Sequence, residues 1–217
     1  MILTMFFSVF MDSAKVPMKQ RVFSGEKRST DVSVSTVTGT IEGHGYVDMG
    51  LSVKWAACNV GARSPGAHGS YFAWGETTTK TTYTEENSKT YGKSFGDISG
   101  DSAYDVARAN WGSTWRMPTK AECQELIDNC TWTRTTYNGT KGYKVVSRKN
   151  NNSIFLPVAG CRHGSSLNLA GENGYYWGSM PYGSNTYYAY ILSFGNGFHD
   201  LFWASRDYGR SVRPVSE

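Results

Sequence analysis

The sequence predicts an α+β fold in which two short helices sit among irregular antiparallel sheets and long loops. Three observations predict it. Aromatic residues make up 14% of the chain and glycines number 24, with Ser and Asn also plentiful, a profile poor for a helical bundle and suited to short strands and turns. Only two stretches carry helix signals. From residue 130 onward, short β-type runs alternate with Gly/Asn turns. At 217 residues the chain suits one large domain, or one domain plus a short appendage, and buries a core without disulfide or metal staples.

Residues 1–43 read as an N-terminal arm or linker, and residues 44–217 as the compact domain, starting near His44. In the arm, Ile2 to Met11 is apolar enough to resemble the core of a signal peptide, but it lacks a basic leader and a clear A-x-A site. It is too short to span a bilayer as a helix. Export segment and docking segment for a partner both stand as readings. Residues 12–43 are polar, with Val32, Val34 and Val37 marking one short strand.

In the domain, Tyr46-Val47-Asp48 and Val53-Lys54-Trp55-Ala56 read as strands around a Gly50 turn. After Tyr71-Phe72-Ala73-Trp74-Gly75-Glu76 comes a polar insertion, residues 77–100, of a length that is usually functional or mobile. Residues 101–110 read as a short helix ending at Trp111-Gly112. A second helix covers residues 119–129, opened by a capping box in which Thr119 accepts a backbone N–H and Glu122 reaches back. Ala121, Cys123, Leu126, Ile127 and Cys130 supply its buried face. Strands follow at residues 143–146, 154–158, 175–177, 187–194 and 211–215. No internal repeat is visible.

The net charge is +4, and the basic residues are scattered, with no cluster longer than Lys27-Arg28 or Arg148-Lys149. Nucleic acid is therefore not an expected partner. The four cysteines, Cys58, Cys123, Cys130 and Cys161, form no CxxC or zinc pattern, and His44, His68, His163 and His199 are isolated. No metal and no cofactor is expected. Export would favour a Cys58–Cys130 disulfide, and buried free thiols are the alternative. His199, Asp200 and Ser205 are close in sequence, but a triad needs geometry and no G-x-S-x-G elbow occurs. Gly92, Gly96 and Gly100 precede no GK[ST]. Glu76 is expected to be a buried structural carboxylate paired with Arg116. No catalytic residue is assigned.

Several strings occur together in order. They are Tyr46-Val47-Asp48-Met49-Gly50-Leu51-Ser52-Val53-Lys54-Trp55-Ala56-Ala57-Cys58-Asn59-Val60-Gly61-Ala62, Tyr71-Phe72-Ala73-Trp74-Gly75-Glu76, Ala109-Asn110-Trp111-Gly112 and Trp115-Arg116-Met117-Pro118-Thr119. Leu156-Pro157-Val158-Ala159-Gly160, Tyr176-Trp177-Gly178-Ser179 and Gly209-Arg210-Ser211-Val212-Arg213-Pro214-Val215 follow. Over roughly residues 44–217 the chain resembles the Fibrobacter succinogenes major paralogous domain of Bacteroidetes and their phages. The resemblance implies a C-type-lectin-like fold related to that of formylglycine-generating enzymes. It also implies use in surface proteins, adhesins or phage tails, some of them variable proteins of diversity-generating retroelements. The calcium-lectin motifs EPN, QPD and WND are absent. So is the late cysteine pair of the formylglycine enzymes, since Cys161 is the last cysteine and stands alone.

The retroelement expectation can be examined in the sequence. Adenine-directed mutation of Asn codons cannot yield Lys, Glu, Gln, Met or Trp. Residues 1–180 contain 34 of these, so about seven are expected in the next 36 positions under uniform composition. Residues 181–216 contain one, Trp203. A diversified segment gives this deficit, and so does a strand-rich end naturally high in Tyr, Ser, Asn and Gly.

In the same span, Tyr190, Leu192 and Phe194 alternate and are expected to face the core, leaving Tyr187, Ala189, Ile191 and Ser193 facing outward or toward a neighbouring strand. After a turn at Gly195-Asn196-Gly197, residues 198–208 show no clean period and resemble an antibody loop in composition. Phe198, Phe202 and Trp203 are the expected anchors, with His199, Asp200, Ser205 and Asp207 as polar contacts. Tyr182, Ser184, Asn185, Tyr187 and Tyr208 complete the candidate ligand-binding set. Core placement of Phe202 and Trp203 is the competing reading. Trp55, Trp74, Trp111, Trp115, Trp132 and Trp177 are the expected core tryptophans.

The expected function is non-enzymatic recognition of a protein or glycan on a cell surface, by a protein located at a cell surface, outside the cell or on a phage particle. A structural subunit of a pilus, tail or surface layer, docked through residues 1–43, is the alternative. An enzyme of the formylglycine type is the third reading.

Overall fold

The computed structural model describes residue 33, residues 37–112 and residues 114–217. Val32 and Val34 of the expected arm strand, and the apolar run at residues 2–11, lie outside the described residues.

The described chain is strand-rich, with two helices. Strands β1 (Gly39–Ile41), β2 (His44–Val47) and β3 (Lys54–Ala56) lead to α1 (Val106–Trp111) and α2 (Lys120–Asn129). Then come β4 (Cys130–Tyr137), β5 (Thr140–Ser147), β6 (Ser153–Pro157), β7 (Cys161–His163), β8 (Ser166–Asn168), β9 (Gly174–Pro181), β10 (Tyr188–Gly195), β11 (Phe198–Ser205) and β12 (Val215–Ser216). Four small antiparallel sheets result, in the orders β1-β2-β3-β12, β4-β5-β6, β7-β8 and β11-β10-β9. The α+β expectation therefore holds at the level of class. Among the described residues strand pairing begins at Gly39, which faces Tyr46 of β2.

Turn chemistry places the hairpins. Asn138 and Gly139 both adopt positive φ (47° and 80°) between Tyr137 and Thr140, as a two-residue hairpin requires. Asn196-Gly197 joins β10 to β11, with Gly197 at φ 85° and Gly195 facing Phe198.

The second helix starts as expected. Thr119 Oγ1 accepts from Glu122 N at 3.3 Å, and a Glu122 carboxylate oxygen accepts from Thr119 N at 2.8 Å. Cys123 and Leu126 are buried beneath it and Ile127 packs against them, but Ala121 is exposed. The helix presents a narrower apolar stripe than its sequence suggests.

The first helix is shorter than the expected residues 101–110, because Asp105 is its N-cap. The Asp105 carboxylate accepts from four backbone N–H groups: Ala107, Arg108, Gly100 and Met117, at 2.8, 3.2, 2.7 and 2.8 Å. Residues 101–104 are thereby held as turns.

The core has two main clusters. The first packs Val47, Trp55, Leu126, Val145, Leu156, Tyr176, Leu192 and Phe194 between α2 and the sheets. The second gathers Phe72, Trp74, Ile98, Met117, Trp177, Ala189 and Ile191 beside α1. The β9-β10-β11 sheet contributes to both. Leu192 and Phe194 face the first cluster as the alternation predicts, and Tyr190 is half-buried. Of the four residues expected to face outward or toward a neighbouring strand, Tyr187 is exposed, and Ala189, Ile191 and Ser193 are buried, which removes the outward alternative for them. The central strand β10 is covered on both faces, so alternation reports two environments and not inside against outside.

Other expectations change on folding. Trp55, Trp74, Trp115 and Trp177 are fully buried, whereas Trp111 and Trp132 are half-buried and stack on His44 (3.8 Å) and His199 (5.0 Å). Glu76 is buried, but its partners are Lys80 Nζ (3.0 Å) and Lys89 N (2.8 Å). Arg116 pairs with Glu122 at 2.6 Å. Cys58 and Cys130 are not bonded, and all four cysteines are free thiols. Of the strand expected at residues 211–215 only Val215 lies in β12, and Gly209, Arg210 and Ser211 make single bridges to Arg162, Phe72 and Tyr176. The polar segment at residues 77–100 has no regular strand or helix, yet buried Tyr83 donates to Tyr71 O and Thr90 to Trp74 O, each at 2.6 Å.

Two outcomes follow for stability. Asp105→Asn turns two of the four N–H groups toward an amide donor, so stability in urea unfolding should fall by about 2–4 kcal/mol. For Glu122, burial pushes its carboxyl upward, but the Arg116 fork and the Thr119 contacts outweigh this and leave it below the ordinary value of 4.5. Its stabilisation is therefore present above pH 4.5 and lost as the pH falls through the lowered value. An acid titration of Tm should be shallower in Arg116→Met than in the parent chain.

Candidate recognition face

Residues 198–205 form a regular strand and not a loop. β11 pairs with β10 without interruption, from Gly195↔Phe198 to Tyr188↔Ser205. Its side chains show no apolar period because it is the outer strand of its sheet and much of both faces reaches solvent. Phe198, Phe202 and Trp203 are 38%, 44% and 52% exposed, so neither Phe202 nor Trp203 is a core residue. A lone exposed apolar residue needs no explanation, but contiguous ones mark contact surfaces. Tyr187 (46%) and Tyr188 (38%) enlarge the group at the other end of the hairpin.

Strand geometry divides the candidate residues. On one face His199, Leu201 and Trp203 lie opposite Phe194, Leu192 and Tyr190. Trp203 stacks on Tyr182 at 4.7 Å, Tyr182 meets the Tyr190 ring edge-on at 5.4 Å, and Lys120 Nζ stands 4.4 Å from that ring. His199 is exposed and lies flat on Trp132. On the other face Phe198 and Phe202 meet at 6.3 Å, edge to face. With Leu169, Tyr175, Ile191, Ala204 and Tyr208 they line a pocket of about 450 Å³.

The polar candidates separate as well. Ser184 is exposed, as is Asp200, which accepts from Leu201 N at 2.7 Å. Asn185 is structural: Oδ1 accepts from Tyr187 N (2.8 Å) and Tyr188 N (3.0 Å), closing the turn before β10. Asp207 was expected at the surface, yet it is 1% exposed and takes a hydrogen bond from Ser205 Oγ. Tyr208 is half-buried and stacks on His163 at 4.4 Å. Tyr187 packs on Tyr91 from the long polar segment at 4.9 Å.

Arg206 supports the face from below. It is 1% exposed and lies 4.4 Å over the Trp74 ring. Its guanidinium donates to Tyr188 O (3.1 Å), Lys93 O (2.8 Å), Thr90 O (3.4 Å) and Asn185 O (3.0 Å). Burial alone pulls its pKa down to about 10, still charged at neutral pH. One side chain thus ties the segment at residues 77–100 to the loop before β10.

Sequence reasoning missed Leu167, Leu169, Tyr175, Tyr188 and Arg210. The apolar pair in Ser166-Leu167-Asn168-Leu169, set in a Gly- and Ser-rich run, was the readable signal; both leucines are more than 40% exposed. Among the described residues no group of three or more His, Cys, Asp or Glu is placed to hold a metal. No described helix is long and apolar enough to cross a membrane.

Replacing Arg206 with Met takes the donor from four backbone carbonyls, that of buried Thr90 among them, so unfolding free energy should drop by about 3 kcal/mol or more. Phe202→Ala, at an exposed position, should change it by less than about 1 kcal/mol on the same denaturant curve.

A family described as a domain of unknown function (DUF8237) matches residues 141–215. That stretch begins in β5 and contains the whole candidate face. No curated protein matches the chain, and no solved structure does.

Proposed function

We propose that this chain is a non-enzymatic binding domain of C-type-lectin-like fold that recognises a protein or glycan on a cell surface through the β10–β11 hairpin and its flanks. The observation that carries the reading is the concentration of exposed aromatic side chains there: Tyr187, Tyr188, Phe198, Phe202 and Trp203. Tyr and Trp offer large, rigid contact area at small entropic cost. The motif resemblance supports the lectin-like fold, and two short helices, small antiparallel sheets and long irregular segments are compatible with it. Work at a cell surface or on a phage particle belongs to the same reading.

Diversification of the face is part of the proposal. Burial separates a buried set from an exposed set within residues 181–216, with half-buried positions such as Tyr182, Tyr190, Leu201 and Tyr208 between them. Ala189, residues 191–195, Arg206, Asp207 and residues 209–216 are buried, whereas Ser184, Tyr187, Tyr188, Phe198, His199, Asp200, Phe202 and Trp203 are exposed. Only the exposed set can vary without a packing cost. A structural subunit with a fixed surface is the second reading, favoured by the outer edge of β11, which no strand pairs among the described residues.

The test joins two measurements. A Phe198→Ser, Phe202→Ser, Trp203→Ser triple variant should keep its Tm within about 4 °C of the parent while losing attachment to cells from the source population. Deep sequencing of the gene's 3′ end there should find substitutions confined to the exposed set, at template adenines. A collapse in Tm, or attachment that survives the triple variant, overturns the recognition face. Uniform or silent variation leaves a fixed adhesin or structural module.

A further inference from the structure

Three arginines enter the interior near the C-terminus, and they differ in how well they are satisfied. Arg206 donates to four carbonyls, as above. Arg213 donates to Asn59 Oδ1 (2.8 Å), Ala56 O and Ala57 O (3.1 Å each) and Phe155 O (2.9 Å). Arg210 is 6% exposed, yet its side chain makes one hydrogen bond among the described residues, Nη1 to Ser205 O at 3.1 Å. Its buried Nε has no partner. No carboxylate among the described residues lies within ion-pair distance of it. A buried guanidinium with spare donors is costly unless something accepts from it.

What Arg210 does touch is aromatic. Its guanidinium carbon sits 4.5 Å from the Trp177 ring centre and 4.9 Å from that of Tyr208. It lines the 450 Å³ pocket whose other walls include Phe198, Phe202, Tyr175 and Leu169. An under-satisfied cation thus borders an apolar, aromatic cavity.

We infer that this pocket is a ligand subsite for a carboxylate carried on an aromatic stem, with Arg210 taking the carboxylate and Phe198 and Phe202 the ring. The inference rests on the proposed recognition face and specifies part of what that face binds. A carboxylate fits because its two oxygens accept from a guanidinium as a planar fork, and a neutral ring fits the apolar walls. Burial holds the Arg210 pKa down to about 10, well below the usual arginine range. A bound anion relieves that desolvation. The same chemistry has two sources, a free aromatic acid or the C-terminal residue of a peptide ending in Phe.

The experiment titrates the full chain, by calorimetry and by heteronuclear NMR, with 3-phenylpropionate and with Gly-Gly-Phe, each beside its C-terminal amide. Saturable binding of either acid, with the amide at least about tenfold weaker, is the expected result, and the acid that binds identifies the source. Phe202→Ala, at an exposed position, should weaken binding. Arg210→Lys, which keeps the charge and loses the fork, should weaken it further, with folding checked by near-ultraviolet circular dichroism. No binding of either acid, or equal binding of acid and amide, overturns the inference. Cell attachment of the Phe198→Ser, Phe202→Ser, Trp203→Ser variant separates the two failures. Attachment lost in that variant, with no acid binding by the parent chain, leaves the recognition face and removes the subsite, and attachment that survives removes the face itself.

Discussion

Arg213 is the interaction on which the rest of the structure depends. It is 1% exposed and bonds two distant parts of the chain: residues 56–59 at and after the end of β3, through Ala56 O, Ala57 O and Asn59 Oδ1, and β6, through Phe155 O. Burial lowers its pKa, and no carboxylate within ion-pair distance among the described residues offsets this. The guanidinium is balanced by carbonyl dipoles, a solution that works only when every acceptor is held at once. Such a group does not add much net stability. It does specify geometry, because few other arrangements of these strands satisfy it.

Arg206 applies the same device one turn of chain earlier. The long segment at residues 77–100 has little apolar surface to bury, and it is ordered through buried Tyr83, Thr90 and Ile98 and through carbonyls given to Arg206. The loop before β10 is fixed by the same guanidinium and by the Asn185 turn. The aromatic hairpin therefore projects from a base whose contacts lie almost wholly beneath it. A face that is rigid yet little used for packing is what a recognition surface needs, since order is established before a ligand arrives.

The β9-β10-β11 sheet carries this arrangement further. β10 is covered on both faces and β9 packs Tyr176 and Trp177 into different clusters, so these two strands are core. β11 is bound to that core by backbone hydrogen bonds, while Phe198, Phe202 and Trp203 remain free for contact. Backbone pairing is indifferent to side-chain identity, which separates the stability of the hairpin from the chemistry of its surface.

Much was legible from residues alone because the relevant physics is local. The α+β class, the Thr119–Glu122 capping box, the Gly50 and Asn196-Gly197 turns and four of the six core tryptophans all follow from propensity, capping and turn chemistry. The exposed aromatic group at Phe198, Phe202 and Trp203 was readable as a break in periodicity. Long-range assembly decided the rest. Asp105 shortens α1 because Gly100 and Met117 reach it from outside the helix. Glu76 takes Lys80 and leaves Arg116 to Glu122, and Asp207 turns inward to Ser205. Residues 198–205 become a strand because β10 offers an edge to pair with. The sequence by itself determined which segments turn, cap and pack, since those energies are set within a few residues. Only the tertiary structure decided which polar groups meet and which aromatic rings stay in water, since a charge or a hydrogen-bond donor is satisfied by whatever the fold brings to it.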